Sequence, residues 1–219
     1  MNEVELLNWV RGPGLNIAIG IFLLGTIWRL FEIYSLGRKK DLSAPRHTAG
    51  ASGWNTIARR SLAPPGMLKR SPISYIGGYV FHVGLAIVVF LFAPHIELIE
   101  NLFGLSWPAL PSQVVDLATV VTLAAMVLVL VDRINKPVKR YLSTVEDYFT
   151  WAVTFLPVLT GYMAVKHLLL PYTTMLALHI LSVEILLVVL PFTKLFHVFT
   201  LFMSRWYNGQ ANAHKGVPV

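Results

Sequence analysis

An all-α, multi-pass membrane protein built as a five-helix bundle is the fold class this sequence predicts, and three observations predict it. Of 219 residues, 55% are hydrophobic and only 13% are charged, about half the charged fraction of roughly 25% found in soluble domains. Mean hydropathy is +0.62. Five apolar stretches are each long enough to cross a bilayer, which takes a helix of about 20 residues. The 15 glycines and 13 prolines are scattered through the chain, several of them inside these stretches, and do not form a disordered, low-complexity tract.

The spans are expected over 14–36, 73–98, 112–131, 148–168 and 172–202, within a single membrane domain covering 1–219. The first is too long for a signal peptide, and it lacks a basic n-region and a small-residue cleavage site, so it is expected to stay in the mature chain. The fifth is long enough to tilt or to run past the membrane surface. Between the first two spans lies the sizeable extramembrane piece, 37–72, with Pro64-Pro65-Gly66 and scattered Ser, Gly and Arg. It is too small for a catalytic domain, and it either satisfies the positive-inside rule, binds anionic headgroups, or docks a partner.

Orientation follows from the placement of Lys and Arg, which are in excess in cytoplasmic loops. Loop 37–72 carries Arg38, Lys39, Lys40, Arg46, Arg59, Arg60, Lys69 and Arg70 against one acid, Asp41. The next loop has no Lys or Arg, only Glu97 and Glu100. Arg133, Lys136, Lys139 and Arg140 follow the third span, Lys166 alone follows the fourth, and Arg205 and Lys215 follow the fifth. The clusters alternate, so the N-terminus is expected outside and the C-terminus in the cytoplasm. The net charge of +7 therefore reads as topology, and no nucleic-acid partner is expected.

Cysteine is absent, which excludes disulfides, thiolate metal sites, cysteine-ligated iron–sulfur clusters and covalent c-type haem attachment. Four of the seven histidines, His82, His95, His179 and His197, lie within or at the edge of apolar spans, where an ionisable side chain is a functional candidate by default. His179 and His197 are five helical turns apart, about 27 Å along one face; His82 and His95 are about 20 Å apart along the second span. Those two spans run antiparallel, which sets His82 level with His197 and His95 level with His179. Two cross-helix pairs at two depths are the arrangement of two bis-histidine b-type haems, since haem iron takes neutral imidazole and facing helices can each supply one ligand.

One residue in this set needs a bend. A 13-residue step turns about 220° around a straight helix, so His82 and His95 share a face only if Pro94 re-aims the second one. Gly77, Gly78 and Gly84 leave room for a flat macrocycle, or serve helix packing. A single histidine taken alone reads as a cross-helix hydrogen bond. A proton relay normally brings chains of carboxylates, and Glu184 is the one carboxylate read as deep in a helix. Zinc needs ligands clustered around one ion, and a transporter would be expected to carry inverted repeats. Arg29 and Lys194 are candidate haem-propionate partners, with snorkelling to headgroups as the alternative. Lys166 and His167 read as surface residues, or as contacts for a quinone headgroup or a propionate. His47 and His214 read as solvated.

These residues resemble the membrane cytochrome b (gamma) subunit of respiratory nitrate reductases and related quinone-linked complexes. The resemblance covers most of the chain and rests on Phe81-His82-Val83-Gly84, Leu178-His179, and Pro191 through His197. It implies a dihaem anchor in the prokaryotic inner membrane that carries electrons between menaquinone or ubiquinone and cytoplasmic iron–sulfur and catalytic subunits. Terminal substrate chemistry would belong to those subunits. His82, His179 and His197 match the family's axial ligands. Where the family has its second ligand on that helix this chain has Phe92, and His95 is expected to replace it; the family's quinone-site lysine is absent from the loop that follows. The competing expectation is a monohaem or haem-free anchor that assembles a cytoplasmic oxidoreductase.

Overall fold

A computed structural model describes residues 2–37, 42–46 and 50–217, and all regular structure among them is helical. Arg38, Lys39, Lys40, Asp41 and His47 lie outside the described residues. Five helical segments among those described are long and apolar enough to cross a membrane. Their outward faces carry Leu24, Trp28, Leu117 and Leu128, all exposed, the inverse of a soluble protein, in which contiguous apolar surface is rarely left bare. The chain is thus an all-α, multi-pass membrane protein.

The first span begins earlier than 14. Helix α1 (Glu3–Trp9) is started by Asn2, whose side chain accepts from the Glu5 backbone at 2.8 Å while Glu5 bonds back to Asn2, a capping box. It runs through a π-turn, Val10–Gly14, into α2 (Leu15–Ser35). Pro13 sits in that π-turn, so its missing N–H is absorbed by a wider turn and the helix is not broken.

The second span is two helices, and the expected continuous helix over 73–98 is corrected accordingly. Helix α5 (Pro72–Leu91) stops at Phe92, which is extended, and α6 (Ala93–Phe103) starts with Pro94 in its first turn. Carbonyls orphaned by the break find other donors. The Trp107 indole donates to Phe90 at 2.6 Å, the Leu110 N–H to Leu91 at 2.9 Å, and His95 Nδ1 to Val88 at 2.8 Å.

The third and fourth spans are α7 (Ser112–Asn135) and α9 (Val145–Val165), joined by the short α8 (Pro137–Leu142). Threonines buried in these helices return their hydroxyls to the carbonyl four residues back, as Thr119 does to Val115 and Thr122 to Ala118. Asp132 at the end of α7 is also a buried carboxylate, which the sequence reading missed in naming Glu184 alone. It is neutralised by Lys136 at 2.8 Å and by Lys139, and it accepts from Ser74 at 2.9 Å, which ties α5 to α7.

The fifth span is interrupted as well, so His179 and His197 do not stand on one straight helix as expected. Helix α10 (Tyr172–Val189) gives way to two 3₁₀ turns, Leu190–Phe192 and Lys194–Phe196, around an extended Thr193, and α11 (His197–Lys215) begins at the histidine. Pro191, in the first turn, is fully buried and packs where Gly25 of α2 leaves no side chain; a Cβ there would meet it at 2.9 Å.

Part of the loop expected over 37–72 is helical. Helix α3 (Gly50–Arg60) packs against the second half of α11, and the one-turn α4 (Met67–Arg70) leads into α5. Contact between α3 and α11 is close enough that a Cβ on Gly53 would strike Trp206 and one on Gly209 would strike Thr56. His214 belongs to this junction and is not simply solvated, since its carbonyl accepts from the Arg46 N–H at 3.1 Å and its ring bonds the Ser43 hydroxyl at 3.1 Å.

Packing runs in the order α5, α7, α9, α10, α2, each helix against the next. Among the described residues no packed interface joins α5 to α10 or α11. The two histidine-bearing walls are held apart by α7 and α9, and histidine rings face each other between them.

Candidate functional site: two cross-helix histidine pairs

At the end of the bundle that carries the basic loops, His82 sits in the third turn of α5 and His197 opens α11. Their ring centroids are 6.2 Å apart, with ring planes at 75°. His82 Nδ1 donates to the Gly78 carbonyl at 2.7 Å, and His197 Nδ1 donates to the Lys194 carbonyl at 2.8 Å. The 3₁₀ turn Lys194–Phe196 presents that second carbonyl, and the Lys194 N–H is itself held by Glu146 at 2.9 Å.

Toward the other end, His95 and His179 repeat the pattern, again with centroids 6.2 Å apart but with planes at 20°. His95 Nδ1 takes the Val88 carbonyl that the break at Phe92 sets free. His179 Nδ1 takes the Pro157 carbonyl of α9 at 3.0 Å, with the Thr160 hydroxyl at 3.5 Å. Thr160 also meets Ser182 at 3.2 Å. Gly161 makes the seat for this ring, because a Cβ there would lie 2.9 Å from His179 Cε1. Pro157, Thr160 and Gly161 were not singled out from the sequence; their signal is a Pro-x-x-x-Gly step facing a histidine on the next helix, which cannot be read without knowing the partner.

Among the described residues every hydrogen bond of these four rings uses Nδ1. A backbone carbonyl at Nδ1 fixes the tautomer with the proton there and turns the Nε2 lone pair outward, which is how metal-ligating histidines are held. With a metal–nitrogen bond of about 2.0 Å and a ring nitrogen about 1.1 Å from its centroid, two imidazoles on opposite sides of one ion have centroids about 6.2 Å apart. Both pairs have that separation. Among the described residues no three His, Cys, Asp or Glu side chains cluster as they would around a metal ion. Two nitrogens per site are too few for zinc, which takes three or four protein ligands, but suffice for the axial positions of a macrocycle that brings its own four nitrogens. The residues present fit two bis-histidine haems.

The glycines near His82 divide between the two roles. Gly77 and Gly84 are packing positions against α7, since a Cβ on Gly77 would lie 2.8 Å from Val129 and one on Gly84 would strike the Thr122 hydroxyl. Gly78, one turn below His82, is different: a Cβ there meets nothing within 4 Å, so its surface is open beside the ring.

Arg29 of α2 lies over the Phe196 ring, 5.9 Å from its centroid, next to His197. It pairs with Glu32 at 2.5 Å and keeps a buried Nε without a partner among the described residues. Lys194 is half exposed and bonds Asp147 at 3.0 Å. Lys166 is paired with Asp116, whose hydrogen bond holds the ammonium above its ordinary pKa. His167 has φ of 53° and rests on the Tyr172 ring at 5.2 Å. Among the described residues no hydrogen bond or ring contact joins Lys166 or His167 to His95 or His179. Glu184 is buried, with Oε1 unpartnered among the described residues, against Gly14 of the π-turn.

No family model matches the chain, and no solved structure matches it. A protein of Nitratidesulfovibrio vulgaris (strain Hildenborough), described simply as "Protein", is 34% identical over 212 residues, which cover 94% of this chain and 93% of the relative.

Proposed function

The chain belongs to the same family as that Nitratidesulfovibrio vulgaris protein, and we propose that it is a dihaem b-type membrane cytochrome, carrying electrons between the quinone pool and cytoplasmic redox subunits. The observation that carries the reading is the doubled histidine pair: two sites, each with a centroid separation of 6.2 Å and each ring tethered through Nδ1. A b-type haem bound there supplies reversible one-electron transfer, a chemistry that none of these side chains offers alone.

The chain's own residues do the rest. His82 and His197 would hold one haem, and His95 and His179 would hold the other. The carbonyls of Gly78, Lys194, Val88 and Pro157 keep each imidazole oriented and basic. The apolar walls of α5 and α10 exclude water, which with ligand geometry sets the potential. Arg29 offers a cation beside the His82/His197 site for a propionate. Lys166 and His167, at the end of α9 remote from the basic loops, are candidate contacts for a quinone headgroup.

Placement of the basic loops supports an orientation with the His82/His197 site toward the cytoplasm of a prokaryotic cell and the His95/His179 site toward the outside. Iron–sulfur and catalytic subunits on the cytoplasmic side would supply the terminal chemistry. The test is reduction of the purified protein in proteoliposomes by a menaquinol or ubiquinol analogue, followed at the haem α-band. Full reduction by quinol in the wild type, and loss of half the signal in His82→Ala, are the expected results. An α-band that quinol leaves untouched while dithionite reduces it would reject the quinone link.

A further inference from the structure

Glu184 belongs to neither histidine pair and to none of the ion pairs, yet it lies inside an apolar span. It stands on α10, five residues from His179 and about 7.5 Å along the helix from it, with 5% of its surface exposed. Other carboxylates withdrawn from solvent in this chain are neutralised in place: Asp132 by Lys136 and Lys139, Asp147 by Lys194, and Asp116 by Lys166. Oε1 of Glu184 has no hydrogen-bond partner among the described residues. Packing does not account for a carboxyl here, because an apolar side chain of similar size would fill the same space without leaving a buried polar atom unsatisfied.

The first span builds the seat. A Cβ on Gly14 would lie 2.8 Å from Glu184 Oε1 and 2.8 Å from the Trp9 ring, so carboxyl and indole meet over backbone that carries no side chain. Gly14 closes the π-turn Val10–Gly14, and single π-turns within α-helices recur at functional sites. The titratable and charged groups on the elements packed against α10 are Glu3 and Glu5 of α1, Arg11 of the π-turn, Arg29, Glu32 and Tyr34 of α2, and Glu146, Asp147, Tyr148 and Tyr162 of α9. Among the described residues no hydrogen bond or ion pair joins any of them to Glu184, and Arg11, beside the seat in sequence, is exposed. A hard metal cation takes six or more oxygens, and among the described residues no three His, Cys, Asp or Glu side chains cluster around such a point. A proton needs one oxygen.

We propose that Glu184 is a redox-linked proton-binding site, which takes up one proton when an electron enters the haem of the His95/His179 pair and releases it when the electron leaves. This rests on the dihaem reading above. The core of a ferric haem with two neutral imidazoles carries one net positive charge, which offsets the negative charge of the carboxylate. Reduction cancels that offset, and a carboxylate left unpaired out of water is costly. The electron, from a quinol, goes to the iron; the proton, from solvent, goes to a carboxyl oxygen of Glu184. Net charge in the interior is unchanged, and oxidation reverses both transfers. By linkage the coupling is reciprocal, so the midpoint potential of this site falls as pH rises.

The test is infrared difference spectroscopy of the purified wild type and Glu184→Gln, reduced and oxidised at an electrode, with haem content and midpoint potentials measured on the same samples over a range of pH. Reduction of the wild type should raise a band in the carbonyl-stretch region of protonated carboxylic acids, one that moves down in D2O. Glu184→Gln should keep its haem, lose that band, and flatten the pH dependence of one midpoint potential. If the Gln variant does not fold, Glu184→Asp replaces it, and the band should shift in frequency. A wild type with haem but no such band, or a band unchanged in either variant, would overturn the proposal. A wild type without haem would overturn it together with the dihaem reading, so the two failures are told apart.

Discussion

The His95 ring faces the His179 ring at 6.2 Å because the helix bearing His82 ends at Leu91 and a new helix starts at Ala93. Had α5 run straight through, the turn between His82 and His95 would have carried the second ring well away from the first one's face. The break does two jobs, since it re-aims His95 and it frees the Val88 carbonyl that holds Nδ1.

Gly161 is the residue whose substitution should separate the two sites. In Gly161→Leu the new side chain meets the His179 ring, which a Cβ alone would approach to 2.9 Å. The expected result is about half the wild-type haem, all of it at the His82/His197 site, because a displaced axial ligand loses its metal. An unchanged haem content would show that His179 is not seated by Gly161.

The neighbouring glycines of α5 should behave oppositely to one another. Gly78→Leu meets no atom of the chain at its Cβ, so it should leave thermal stability near wild type while lowering occupancy of the His82/His197 site. Gly84→Leu forces a side chain into Thr122 and should lower the melting temperature whatever the haem content, because α5 can no longer approach α7. Equal effects of the two on haem and on stability would merge roles that the structure separates.

On the proposed dihaem reading, the ring-plane angles, 75° at one site and 20° at the other, would give two ferric centres with different electron paramagnetic resonance signatures. Crossed axial imidazoles leave the iron π-orbitals near degeneracy and raise the largest g value; aligned ones split those orbitals and lower it. Two low-spin signals are expected, and His82→Ala should remove the one with the larger maximum g. Removal of the other signal would contradict the assignment.

Charge pairs at the basic end should rank by burial. Asp132 has a 3%-exposed side chain facing Lys136 and Lys139, so Asp132→Ala should cost about 1–3 kcal/mol by leaving hydrogen-bonded cations without their acceptor. Lys194 is half exposed, and Lys194→Ala should cost about 0–1 kcal/mol without loss of haem, as its ammonium serves Asp147. Thermal denaturation in detergent orders the two variants, and a larger loss for Lys194→Ala would contradict the ranking.

Much of this architecture is legible in the sequence, because lipid enforces it: apolar runs near the bilayer thickness gave all five spans, and four histidines in antiparallel register gave both pairs. What escaped is where the backbone departs from a straight helix. Pro94 signalled a bend but not that Phe92 would become extended, and Pro191 did not show that two 3₁₀ turns would follow. Counting 3.6 residues per turn across the break at Phe92 gives a wrong face for His95, although the depth survives; across the break after Val189 both His179 and His197 still face the histidines of the second span. Helix α1 was hidden by Glu3 and Glu5, and α3 by its small, polar residues, whose partner α11 is remote in sequence. Seats such as Pro157 and Gly161 are ordinary residues of an apolar helix until His179 is placed against them.

The central claim is tested most directly by the haem-to-chain ratio of the purified wild-type protein, measured by pyridine haemochrome against quantitative amino-acid analysis. Two b-type haems per chain, falling to about one in His82→Ala and in His95→Ala, is the predicted result. A wild-type ratio of one would remove one pair from the account, and a ratio of zero would contradict it altogether.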